Sequence, residues 1–168
     1  MFIIFVEGFD DEQYIKKIFP SSKIKIYQYA QKKREIINNY INSLACMNAS
    51  YIFLADSDGK SDSDKIGELC EAYSQLDRER IYIVKFEIES WYLAGVSEDY
   101  CDKNKIKKYI HITNDVTKEQ FDNLLPLNRK TRMQAMLDML EQYQMSIALN
   151  RNSSLNNFIT KEELINAV

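Results

Sequence analysis

Glycine and proline are scarce: the 168 residues contain four Gly and two Pro. So few chain breakers leave little room for long coil, and collagen-like, proline-rich and Gly/Ser-linker architectures are excluded. Histidine is scarcer still. His111 stands alone, which excludes any mechanism that needs two imidazoles. The three cysteines, Cys46, Cys70 and Cys101, are odd in number and have no CxxC spacing, against a complete disulfide set and against a zinc site. They are expected to be reduced thiols of a cytoplasmic protein, two of them filling the core from helices. No apolar run approaches the length that crosses a bilayer, so no membrane partner is expected. Residues 1–6 are apolar but lack a basic flank and run into Glu7-Gly8, which suits a buried strand better than a signal peptide.

Neither sign of charge dominates. There are 22 basic and 25 acidic residues, for a net charge of −3, so the placement of charge matters more than its sum. Hydrophobic residues at 45% and charged residues at 28% give ordinary globular composition rather than disorder. The length is that of one ordinary domain with a real core and room for one appendage.

Along the chain, apolar runs alternate with helical periodicity. Residues 2–6 form a continuous β-rich run, and Tyr14, Ile15, Ile18 and Phe19 then make one stripe of a helix capped by Asp10 or Asp11. Residues 23–29 alternate as a second strand, and residues 32–44 place Ile36, Ile37, Tyr40, Ile41 and Leu44 at helical spacing. Residues 51–55 read as a third strand, a helix starts at Asp62 or Ser63, and residues 81–86 read as a fourth strand. Such alternation predicts an α/β fold: a Rossmann-like, mainly parallel sheet of about four strands, with right-handed crossovers and helices on both faces. From about residue 99 the chain turns helical and polar. A helix is expected from about Asn128, and Thr160 with Glu163 suggests a capping box for a last one. The organisation predicted is an α/β core over residues 1–98 with a helical extension, 99–168, packed on it.

Ligands of parallel α/β sheets collect at the carboxyl ends of the strands. Glu7 closes the first strand, Asp56 and Asp58 close the third, and Glu87 and Glu89 follow the fourth. Carboxylates crowded on one rim repel one another, and a hard divalent cation relieves that repulsion. The bland reading of each acid is a solvated loop position or a helix cap. Asp62 and Asp64 fit that reading as helix-start residues, while Asp10 suits a cap and a supporting acid equally. An EF-hand is excluded because the Gly after Asp58 sits at the fourth loop position and Gly67 at the twelfth.

Residues 6–11, Val-Glu-Gly-Phe-Asp-Asp, followed by residues 54–59, Leu-Ala-Asp-Ser-Asp-Gly, resemble the Toprim domain shared by topoisomerases, primases and certain nucleases. One strand-helix-strand-helix block separates Glu from Asp-x-Asp, as in that family. Residues 86–94 resemble the E-x-E-x-W segment of small stand-alone Toprim-like proteins, and the likeness spans roughly residues 2–95. It implies Glu7 as general acid/base or metal ligand, Asp56 and Asp58 as ligands of Mg²⁺ or Mn²⁺, and Glu89 as a further acid, with Glu87 less favoured. No zinc-binding segment of the primase kind is present. Trp91, beside Tyr92 and Leu93, reads as core rather than as a base-stacking platform.

Arg129, Lys130 and Arg132 open a helix, where positive charge opposes the macrodipole. A bound phosphate explains such placement, as does a solvated helix end held by packing. Lys32 to Arg34 and Lys103 to Lys108 are further basic stretches that suit a phosphodiester backbone, and Lys85 is placed to neutralise the acidic rim. The leading expectation is metal-dependent phosphodiester hydrolysis of DNA or RNA, with Lys130 or Arg129 stabilising the phosphate in flight. Two alternatives stand beside it: a non-catalytic metal-binding module of a regulatory or defence system, and a receiver-like domain phosphorylated at Asp56. A homo-oligomer or a protein partner is compatible with either.

Overall fold

Phe-Ile-Ile-Phe-Val is too apolar to leave either face in water, and it forms β1 (Phe2–Val6), buried at all five positions. A computed structural model describes residues 1–19, 24–47, 49–126 and 131–161. Around β1 the chain continues as α1 (Phe9–Ile18), β2 (Ile24–Gln28), α2 (Arg34–Cys46), β3 (Ser50–Asp56), α3 (Asp62–Ala72) and β4 (Ile81–Val84). The four strands make one all-parallel sheet in the order β2-β1-β3-β4. This is the expected α/β, Rossmann-like arrangement. In register, Ile4 lies between Ile26 and Ile52, and Phe5 between Tyr27 and Phe53.

Strand order decides which face each helix covers. β1 to β2 steps one way across the sheet, and β2 to β3 to β4 steps back. Right-handed crossovers therefore put α1 on one face and α2 with α3 on the other. The core cluster agrees: Ile3, Phe5, Phe53 and Ala55 are packed with Ile37, Ile41 and Leu44 of α2 and Leu69 of α3. Phe5 stacks on Phe53 at 5.5 Å and meets Tyr27, Tyr40 and Tyr51 edge-on. Gly8 rather than Asp10 or Asp11 is the N-cap of α1. The Gly8 N–H donates to Asp11 Oδ2 at 3.0 Å, so Asp11 reaches back from inside the first turn.

Among the described residues the chain divides into two units, residues 1–84 and residues 85–161. The division falls at Val84/Lys85 rather than near residue 98. Its physical reason is α4 (Glu89–Ala94): all six residues are buried, and the helix packs against α6 (Lys118–Leu124), α7 (Arg132–Glu141) and α8 (Met145–Arg151). α5 (Glu98–Lys103) and α9 (Ser153–Ile159) complete the second unit. α7 begins at Arg132, with Thr131 as N-cap and Gln134 closing a capping box. The expected Thr160–Glu163 box lies outside the described residues at Glu163. Thr160 itself is the C-cap of α9. All three cysteines are free thiols on helices, with Cys101 buried and Cys46 exposed. Among the described residues no helix is long and apolar enough to cross a membrane.

Arg151 and Asn152 tie the second unit together. The buried Arg151 guanidinium donates to the carbonyls of Ala94 (2.8 Å), Val96 (2.6 Å) and Ile110 (3.1 Å), and it lies over the Tyr109 ring. Burial lowers its pKa from the usual arginine value. Asn152 donates to Ser90 Oγ and Thr113 Oγ1, and its Oδ1 caps α9 by accepting from the Leu155 N–H.

Gly95 ends α4 against a ring. A Cβ there would meet Tyr143 ring carbons at 2.2 Å, and the Tyr143 hydroxyl is held by donating to the Trp91 carbonyl at 3.0 Å. Gly95→Ala is expected to destabilise by about 1–3 kcal/mol, read by urea unfolding. Most of that loss should disappear in the Tyr143→Ala background, because the two sites share one space.

Candidate functional site

A parallel sheet whose winding reverses leaves a crevice at the reversal, outside the carboxyl ends of the two strands concerned. Here those strands are β1 and β3. Glu7 follows β1 directly, and Asp56 is the last residue of β3, still in register with Val84 of β4. The two acids therefore leave neighbouring strands at the same rim. Glu7 is half-buried, and the Oδ1 oxygen of Asp56 is buried.

Tyr29 registers the charge gathered there. It follows β2, its N–H donates to the Val6 carbonyl at 2.9 Å, and it is 5% exposed. Burial pushes its phenol pKa well up, and the negative charges of Glu7, Asp11 and Asp56 push in the same direction. Tyr73 is raised too, by burial first and by Glu7 last, with Arg34 acting against them. A phenol in that environment stays protonated and can donate a hydrogen bond, which unsuits it as a base or anionic nucleophile. Sequence reasoning placed Tyr29 at a strand end without giving it a role. The signal was its position one residue past an edge strand.

Asp58 has a local reason for its place. A turn over residues 57–60 closes with the Lys60 N–H on the Ser57 carbonyl at 2.9 Å. Both central residues have positive φ, +51° at Asp58 and +76° at Gly59, a conformation that suits Asp-Gly. The Asp58 side chain is about half exposed and forms an ion pair with Lys65. Asp10 sits in the first turn of α1, where a carboxylate complements the helix dipole.

The remaining expected residues belong to the second unit. Glu89, buried in the first turn of α4, is paired with Arg132, whose Nε also donates to Asp122 at 2.9 Å. Burial raises the Glu89 pKa, while its own backbone N–H and Arg132 pull it down. Arg132, expected on phosphate, thus holds two carboxylates. Glu87 accepts from the Lys118 N–H and so satisfies a free donor at the start of α6. Lys85 pairs with Asp115 at 2.6 Å. Arg129 and Lys130 lie outside the described residues. Trp91 is core, as expected: it is fully buried, its Nε1–H donates to Ser154 Oγ, and its ring packs on Phe158.

Among the described residues no set of three or more His, Cys, Asp or Glu side chains is arranged to hold a metal ion. In the first unit the negative charges of Glu7, Asp11 and Asp56 all act on Tyr29, and Asp58 lies two residues beyond Asp56 on a turn. No protein-family model, no curated protein and no solved structure matches the chain.

The Glu89–Arg132 pair yields a pH-dependent expectation. Arg132→Met leaves a buried carboxylate without its guanidinium, at a cost of about 3 kcal/mol near neutral pH. A carboxyl whose folded pKa is raised contributes its stability below its unfolded value, and loses it as pH rises through the folded value. Arg132→Met raises that folded value further. The deficit against wild type should therefore shrink as pH falls into the glutamate range, measured as urea midpoints at both pH values.

Proposed function

We propose that the chain is a divalent-metal-dependent hydrolase of nucleic-acid phosphodiester bonds, of the Toprim-like kind. The observation that carries this reading is the delivery of Glu7 and Asp56 to one rim by adjacent parallel strands at the winding reversal. Mg²⁺ commonly binds through one or two protein carboxylates and takes its other ligands from water and phosphate oxygens. A pair of acids with a third beside it suits that chemistry, where a closed four-ligand cage would not. The likeness of residues 6–11 and 54–59 to Toprim motifs supports the same assignment.

In this reading Glu7 and Asp56 would hold Mg²⁺ or Mn²⁺, with Asp58 as a third donor. Asp58 would have to leave Lys65, whose side chain is only 12% exposed, to meet the metal. The metal, when bound, supplies a nucleophilic hydroxide and shields the phosphate from the carboxylates. The carboxylate oxygen of Glu7 that does not meet the metal would take the proton from the attacking water. Tyr29 keeps its own proton and stays neutral beside the acids. Glu89 keeps a structural role on α4 with Arg132.

A second reading follows from the ion pairs. Asp58 and Glu89, two of the acids expected as ligands, each have a protein cation already. A metal-binding module without turnover, in a regulatory or defence setting, accords with that.

Melting temperature in a Mg²⁺ and Mn²⁺ titration tests the shared premise, because a ligand that binds only the folded state raises stability. Wild type should shift upward, and Asp56→Asn and Glu7→Gln should not. Cleavage of single- and double-stranded DNA and RNA with Mn²⁺, abolished by Asp56→Asn, supports hydrolysis. A metal-dependent shift with every substrate intact supports the module instead. No shift in wild type at millimolar metal sinks both.

A further inference from the structure

We propose that Phe9 stacks an unpaired base of the substrate strand beside the acid pair, which makes single-stranded nucleic acid the substrate class. This rests on the reading of Glu7 and Asp56 as the acids that hold the metal. The chain has eight Phe, eleven Tyr and one Trp, all among the described residues. Phe9 alone among them is exposed, at 45%. Burial of an aromatic ring is a large apolar gain, which the rest of the fold takes and Phe9 forgoes. A hydrophobic staple does not account for the ring, because that contact uses the residue before the N-cap, and here that residue is Glu7.

Position distinguishes Phe9 from the exposed aliphatic side chains elsewhere, which are normal on a protein surface. Phe9 opens α1 at the carboxyl end of β1, two residues after Glu7, so their Cα atoms are at most about 7 Å apart. One nucleotide bridges that span. Gly8, between them, adds no side chain. Chain neighbours aside, the one atom in contact distance of a Cβ there is Asp11 Oδ2, at 3.9 Å. A ring at this edge of the crevice can take the face of a base while the metal takes a phosphate oxygen. In a duplex each base face is already covered by its neighbours in the stack, so only an unstacked base can use such a ring.

Charge at the rim supplies an independent observation. Asp10 and Asp11 follow Phe9 in the first turn of α1 and repel phosphate. The basic residues stand on the other side, where α2 begins. The β2–α2 connection is held to Glu7 itself: the Ala30 N–H donates to the Glu7 carbonyl at 3.3 Å, and the Lys32 N–H donates to the Tyr29 carbonyl at 2.9 Å. Lys32, Lys33 and Arg34 follow, all exposed, and among the described residues no carboxylate pairs with any of them. The charges of Arg34 and Glu7 both reach the buried Tyr73 phenol, Arg34 lowering its pKa and Glu7 raising it. The base therefore lies on the α1 side and the backbone on the α2 side, where lysine and arginine offset its phosphates.

Fluorescence anisotropy of the full chain with Mn²⁺ tests this, using hydrolysis-resistant phosphorothioate DNA and RNA, single-stranded and duplex. A single strand is expected to bind more tightly than the duplex of the same sequence. Phe9→Ala should weaken single-strand binding about five- to 150-fold, the range of one base–aromatic stack, and Phe9→Trp should keep it. Phe9→Leu keeps an apolar side chain without a π-face and should fall with Phe9→Ala. An abasic strand keeps its phosphates and loses its bases, so wild type and Phe9→Ala should bind it equally, an outcome that a folding defect does not give. The rise in melting temperature with Mn²⁺ should be the same in Phe9→Ala as in wild type. Single-strand binding unchanged in Phe9→Ala, wild-type binding by Phe9→Leu, or a duplex bound as tightly as a single strand would overturn the proposal and leave the metal reading standing. A Mn²⁺ shift with no saturable binding of any oligonucleotide would do the same. No Mn²⁺ shift in wild type removes the metal reading, and the stacking proposal with it.

Discussion

β1 has a hydrogen-bonded parallel neighbour along each edge and is buried on both faces, and its placement constrains the rest of the first unit. Parallel neighbours cannot be joined by a tight hairpin, so each connection must cross over the sheet, and each carries a helix here. With β1 second in the order, the crossovers must run in opposite directions on its two sides. Handedness then divides α1 from α2 and α3, and the chain parts on either side of β1 at its carboxyl end. Glu7 and Asp56 are polar where the strands they end are apolar, and they stand at that parting. The position of the acids is thus a consequence of winding, while their chemical identity is what a ligand would read.

The second unit solves a different problem. Among the described residues its helices are short, the longest being the ten residues of α7, so intrahelical hydrogen bonds leave a large share of backbone groups unsatisfied at helix ends. Side chains take up that deficit. Arg151 supplies donors to carbonyls at the end of α4 and just beyond it and at Ile110, Asn152 caps α9, Glu87 meets the start of α6, and Thr117 and Thr131 cap α6 and α7. Buried polar residues here act as connectors between short elements, which explains why Arg151, Asn152 and Ser154 are all buried in one stretch.

The parts of this organisation visible in the sequence are those with a local pattern. The apolar runs at 2–6 and 51–55 are strands because burial on both faces leaves no other use for them, and helical spacing in residues 34–46 marks α2. The acids at the carboxyl ends of β1 and β3 were legible for the same reason, since Glu7 directly follows its strand and Asp56 ends its own. What was not legible depends on partners far along the chain. Glu89 is separated from Arg132 by most of the second unit, so no motif reveals that its carboxylate is held by a guanidinium. Lys85 and Glu87 read as rim residues, yet each meets a group near the start of α6. Asp58 was ambiguous because Asp-Gly serves a turn and a ligand set equally well. The capping boxes at Thr117–Gln120 and Thr131–Gln134 had the right spacing, but nothing local shows where the chain leaves its preceding segment.

The position of β1 also has a consequence for how the chain folds. Phe2 pairs with Ile24 on one side and with Ser50 on the other, so β1 gains its second neighbour only after a long stretch of chain has been ordered. Closing such loops costs entropy before the distant contacts repay it, and parallel sheets fold slowly for that reason. Until β3 docks, the edge of β1 that will border the crevice is an open row of N–H and C=O groups beside five apolar side chains. That edge is a template for pairing with another chain. The strand that creates the crevice in the native protein is therefore the one most exposed to misassociation on the way to it.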